Sequence, residues 1–217
     1  MSHSDPGIVG ELVEIPIEEV TLDGTLSVPD DPQGLVVFAH GSGSSRKSPR
    51  NNAVAAQLND AGHATLLFDL LTEEEDVVHE NRFDVSLLVQ RLVSATDWVR
   101  GEPAVADLPV GYFGASTGAA AALRAAVEAD APVDAVVSRG GRVDLASPVA
   151  DDVTAACLFI VGGDDPDVLE LNRDVYDELG CEKRLEVIEG AGHLFEGPGE
   201  LDQVAEYAAE WFTEHLG

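Results

Sequence analysis

The chain has 217 residues, 41 of them acidic against 12 basic, for a formal net charge of -29 at pH 7. Such a charge repels phosphate backbones and excludes nucleic acid as an expected partner, and because the acids are spread along the whole chain it is expected of a halophilic protein whose self-repulsion is screened by salt. A hydrophobic content of 45% is enough for one core, so a single domain over residues 1–217 (core about 11–216) is expected, and no apolar run approaches the ~20 residues of a membrane span.

Residues 1–7, Met-Ser-His-Ser-Asp-Pro-Gly, lack the basic and apolar regions of a secretory signal, which leaves the cytoplasm as the expected location. Residues 11–28 alternate apolar with other side chains, and Asp23-Gly24 reads as the turn of an antiparallel hairpin at a sheet edge. Leu35-Val36-Val37-Phe38-Ala39 is apolar throughout, as a parallel strand buried on both faces would be. It runs into His40-Gly41-Ser42-Gly43. A helix over 51–61, stopped at Gly62, precedes a second buried strand at 64–68. Residues 70–82 read as a polar loop in which the acid run 73–76 is solvated. A helix over 83–100 carries Leu88, Leu92, Ala95 and Val99 on one face.

Strands then follow at 108–113, 133–137, 157–161 and 185–188. Helices are expected from 119 to 129, over a stripe of Val168, Leu171, Val175 and Leu179, and over a stripe ending in Trp211 and Phe212. Alternation of this kind predicts an α/β fold: a doubly wound, mostly parallel sheet with an antiparallel N-terminal edge. The excursion 138–156 is too short for a large lid domain, so the pocket should be open and its substrate small. Cys157 and Cys181 make no disulfide framework, and no metal-ligand spacing accompanies them; no cofactor or metal is expected.

Gly114-Ala115-Ser116-Thr117-Gly118 lies between a strand and an alanine-rich helix. In that setting Gly-x-Ser-x-Gly is a nucleophile elbow, a sharp turn that lifts a serine hydroxyl above the carboxyl edge of the sheet. A serine needs a base, and His193 sits in a glycine-rich loop after the last strand, with the residue type that exchanges protons near neutral pH. The base needs a carboxylate, for which Asp164 and Asp165 compete. The order serine, acid, histidine is one of three known for such triads. An oxyanion hole would take the amides of Thr117 and of the 40–43 turn, where Ser42 is the best placed. Ser42, Ser116, Asp165 and His193 all fall at expected strand C-termini, where ligands bind on such sheets.

Several stretches resemble one family: His40-Gly-Ser-Gly-Ser-Ser-Arg46, Ser48-Pro-Arg50, Leu67-Phe-Asp-Leu-Leu-Thr72, Gly111-Tyr-Phe-Gly-Ala-Ser-Thr-Gly118, Ser138-Arg-Gly-Gly-Arg142, Gly162-Gly-Asp-Asp165 and Gly192-His193-Leu-Phe195. Together they look like the dienelactone hydrolase-like branch of the α/β-hydrolase superfamily. The resemblance implies an α/β-hydrolase fold and a triad of Ser116, Asp165 and His193. Dienelactone hydrolases proper use a cysteine at the elbow; the serine here points to a serine esterase acting on a small ester or lactone through an acyl-enzyme. A non-catalytic module, or an acyltransferase or thioesterase, would share these features. His40 is expected to order its loop through backbone hydrogen bonds. Arg46, Arg50, Arg139 and Arg142 flank strand ends, where each either bridges carboxylates or holds an anionic part of a substrate, as His40 also could.

Overall fold

Five strands are buried from end to end because helices cover both of their faces. The computed structural model describes residues 10–217, so the expectation about a secretory signal in residues 1–7 lies outside them. The strands are β1 (Glu11–Ile17), β2 (Val20–Ser27), β3 (Gly34–Ala39), β4 (His63–Phe68), β5 (Val110–Ala115), β6 (Ala135–Arg139), β7 (Ala156–Gly162) and β8 (Lys183–Ile188). The helices are α1 (Pro49–Asp60), α2 (Glu73–Asp76), α3 (Val85–Val99), α4 (Thr117–Glu128), α5 (Pro166–Glu178) and α6 (Glu200–Leu216). Two 3₁₀ segments, His79–Phe83 and Val143–Asp152, complete the list.

All eight strands form one sheet in the order β1-β2-β4-β3-β5-β6-β7-β8. β1, β2 and β4 pair antiparallel, and every pairing from β4 to β8 is parallel. Side chains alternate between two cores. Leu35, Val37, Tyr112, Val136 and Phe159 face α3, α4 and α5. Val36, Phe38, Phe113, Val137 and Ile160 face α1 and α6, whose Trp211 and Phe212 are at most 1% exposed. The parallel strands end together: Ala39 lies beside Gly114, and Ala115 beside Arg139. Every loop that leaves them therefore opens on the same edge.

The structure departs from expectation in four places. The hairpin turn is at Glu18-Glu19, with Glu18 at a positive φ of 50°, while Asp23-Gly24 lies inside β2. The buried alternation of Leu22, Gly24 and Leu26 runs straight through that dipeptide. A Cβ at Gly24 would approach Val13 Cγ2 to 2.9 Å, so the glycine serves cross-strand packing. The acid run is one helical turn, α2. Thr72 caps it with a capping box completed by Glu75, and Arg91 and Arg82 pair with Glu75 and Asp76 at 2.7 Å each. β6 begins later and runs two residues further than expected, which makes Ser138 and Arg139 sheet residues. In α5 the buried stripe is Val168, Asn172 and Val175; Leu171 is only half-buried.

Among the described residues no lid covers the edge. The segment between β6 and β7 folds as the 3₁₀ stretch Val143–Asp152 and packs against α4 and α5.

Candidate active site

Ser116 has φ 51° and ψ -120°, a backbone conformation that costs a non-glycine residue about 1–3 kcal/mol. Its neighbours hold it there. Its N–H donates to the Arg139 carbonyl at 3.2 Å, and its carbonyl accepts from Arg142 N–H at 3.0 Å. The Ser138-to-Arg142 turn therefore clamps the elbow from both sides. The flanking glycines are required by contact: a Cβ at Gly114 would lie 2.5 Å from Ala119 Cα, and one at Gly118 would strike the Ala39 carbonyl oxygen. As the first residue of α4, Thr117 presents an amide with no partner inside the helix.

Asp165 and His193 come from adjacent loops that are laced together. Gly163 N–H donates to the Ile188 carbonyl at 2.8 Å, and Asp164 N–H to the Ala191 carbonyl at 2.9 Å. Phe195, with a positive φ of 53° and 2% exposure, anchors the histidine loop in the core beneath it. His193 Nδ1 lies 2.7 Å from Asp165 Oδ2, and the Asp165 side chain is 16% exposed. Asp164 is exposed and makes no such contact. The His193 ring rests on Gly140, 3.4 Å from where a Cβ there would stand, and the preceding carbonyl holds Ser116 N–H. Imidazole and serine thus flank a single peptide. Ser116 Oγ and His193 Nε2 are not hydrogen-bonded to each other here; such bonds commonly tighten only around a substrate.

The remaining candidates divide. Ser42 N–H is aimed at the elbow but donates to Thr117 Oγ1 at 3.0 Å. His40 is 8% exposed, with Nδ1 on the Gly41 carbonyl and Nε2 accepting from Leu70 N–H, both at 3.0 Å. Burial holds its pKa below the usual value, and both nitrogens serve the loop backbone. Arg46 pairs with Asp23 at 3.2 Å and Asp69 at 3.4 Å, and its own amide donates to Asp69 at 2.7 Å. Arg142 grips Asp144 through two bonds of 2.8 Å, which raises its pKa. Those two forks are occupied by carboxylates. Arg50 reaches Glu196 at 3.4 Å on the surface. Arg139 is 9% exposed and pairs with no carboxylate among the described residues.

One supporting residue is absent from the sequence-level reading. Asn172 is fully buried, and its Nδ2 donates to the carbonyls of Gly141 and Val168 at 2.8 Å each, tying α5 to the turn that clamps Ser116. A polar residue one helical turn after Val168, on the buried face, was the available signal.

The comparisons with known proteins bear on the family and the fold. Residues 22–215 match the dienelactone hydrolase family. A dienelactone hydrolase from Anabaena variabilis ATCC 29413 is 52% identical, covers 95% of this chain and 98% of its own, and superposes with a TM-score of 0.92. Est1E from Butyrivibrio proteoclasticus shares the fold at a TM-score of 0.80, with 16% identity over 94% of this chain and 98% of its own. Two Mycobacterium tuberculosis proteins (strains CDC 1551 and H37Rv), provisionally named phosphoribosyl transferases, are 53% identical over 98% of this chain. The chain spans about half the length of these curated relatives, 48% of each. No helix among the described residues is long and apolar enough to cross a membrane. The fold is that of an α/β-hydrolase, and the chain belongs to the dienelactone hydrolase family.

Proposed function

We propose that this hydrolase uses Ser116 to open a small carboxylic ester or lactone through an acyl-enzyme. The observation that carries the reading is the 2.7 Å contact between His193 and Asp165, made beside a serine held at φ 51°. His193 Nδ1 is oriented by the carboxylate, so Nε2 is the nitrogen left to take the serine proton and return it to the leaving group. Asp165 fixes that tautomer and stabilises the imidazolium. The Thr117 and Ser42 amides hold the developing oxyanion, for which Ser42 N–H exchanges its bond to Thr117 Oγ1 for one to the substrate. Water then resolves the acyl-enzyme.

These are the parts of an acyl-transfer site, and the transferase name stays with the longer mycobacterial proteins. The test is a panel of short esters and lactones, run in molar KCl with Ser116→Ala as control, together with labelling by a fluorophosphonate. Turnover and labelling should both vanish in the variant. Retained turnover would refute the nucleophile, and an unlabelled wild-type serine would favour a non-catalytic module.

A further inference from the structure

Arg139 is out of keeping with the rest of the molecule. In a chain with 41 acidic residues its guanidinium pairs with none and donates no hydrogen bond among the described residues, and its Nη1 is buried without a partner. Alternation along β6 turns the side chain toward the α1 and α6 face, shared by Ala135 and Val137. A second cation waits there. Arg50, in the first turn of α1, is bonded to Glu196 on the loop whose His193 ring lies against Gly140, next to Arg139; its charge acts on Arg139, and its Nε is also buried and unpartnered. Burial and Arg50 together pull the Arg139 pKa down to about 10, which leaves the group charged at neutral pH. Glu196 is the one carboxylate bonded to Arg50, at 3.4 Å on the exposed side. A buried, unpaired guanidinium is among the most unfavourable groups a fold can hold, and simple packing would favour an apolar residue of the same size. The position is one residue from Gly140, under the His193 ring, and beside the Ser116 backbone.

Resting on the serine-hydrolase reading, we propose that Arg139 and Arg50 form a specificity-determining pair that holds a phosphate group carried by the ester substrate. One guanidinium fork already matches the two coplanar oxygens and the single charge of a carboxylate. The tetrahedral oxygens of a phosphate bridge two forks at once, and its charge of about -1.5 to -2 matches two cations better than a monoanion does. The same pair rejects neutral esters only weakly, since these simply leave it unfilled.

The test begins with Ser116→Ala protein, so that binding is read without turnover. Thermal unfolding is followed in potassium phosphate, potassium acetate and potassium chloride at matched, molar ionic strength. Phosphate should raise the midpoint by several degrees over chloride, and acetate should not. Adding Arg139→Met should abolish that shift and raise the midpoint in chloride alone, because a buried unpaired charge has been removed; Arg139→Gln should abolish the shift as well. In the protein with Ser116 intact, Arg139→Met should lower kcat/KM about 100-fold for the acetyl ester of a hydroxyalkyl phosphate and less than about threefold for its dephosphorylated counterpart. Protection by acetate equal to that by phosphate, or a phosphate shift that survives both Arg139 variants, overturns the proposal. Phosphate protection of Ser116→Ala without esterase activity in the parent would leave the anion site standing and sink the serine-hydrolase reading instead.

Discussion

The two flanks of the elbow differ in how completely their charges are matched. On the β2 and β4 side, cations are matched with anions: Arg46 with Asp23 and Asp69, Arg82 with Asp76, Arg91 with Glu75. His40 spends both nitrogens on backbone. On the β6, β7 and β8 side, Arg142 is paired with Asp144, but Arg139 is buried with no counter-charge among the described residues, and His193 is held on one nitrogen only. Paired charges rigidify, whereas a charged group held in place without a counter-ion is available to a ligand. The difference assigns stability to one flank and chemistry to the other.

That division breaks most readily on the chemical side. Asp165→Asn should lower kcat by about 10⁴-fold with little change in unfolding midpoint, because the wrong imidazole tautomer is then stabilised. A loss of only tenfold would place the essential acid elsewhere. Arg46→Ala should do the reverse. It strips a charged partner from Asp69, which is partly buried, and should destabilise the fold by about 2 kcal/mol, or ~4–8 °C, with kcat of the folded protein nearly unchanged. If kcat instead collapses while the midpoint holds, the flank is not merely structural.

Two further expectations concern the solvent. With a formal charge of -29, the unfolding midpoint should rise from low to molar KCl as repulsion among carboxylates is screened. A flat or falling midpoint removes the halophilic reading. The smallest effect should come from pH. Burial lowers the pKa of both His40 and His63 below the ordinary 6.5. The unfolded chain then binds protons that the folded chain refuses, so their contribution is full above about pH 6.5 and declines as pH falls below it. His63→Gln should flatten that slope in midpoint-against-pH curves, and an unchanged slope would assign it to other groups.

Much of the fold was legible because apolar periodicity is a local property. The uniform runs of β3, β4 and β7, the stripe of α3 and the setting of Gly114 to Gly118 could be read without a partner in view. The misreadings arose where a local signal served a distant contact. Asp23-Gly24 resembles a turn, but Gly24 is small because Val13 crosses it on β1. Leu171 suits an apolar stripe, yet the buried position went to Asn172, whose amide is needed by the Gly141 carbonyl on another loop. The acid run resembles a loop until Arg82 and Arg91 are brought against it.

The amino-acid sequence alone determined the sheet-and-helix alternation and the order of serine, acid and histidine, since both are written in residue types and spacing. Only the tertiary structure decided that Asp165 rather than Asp164 meets His193, and that Arg46 and Arg142 are paired while Arg139 is not. Charge pairing depends on which loops the parallel strands deliver to one edge, and that adjacency exists only once the sheet has formed.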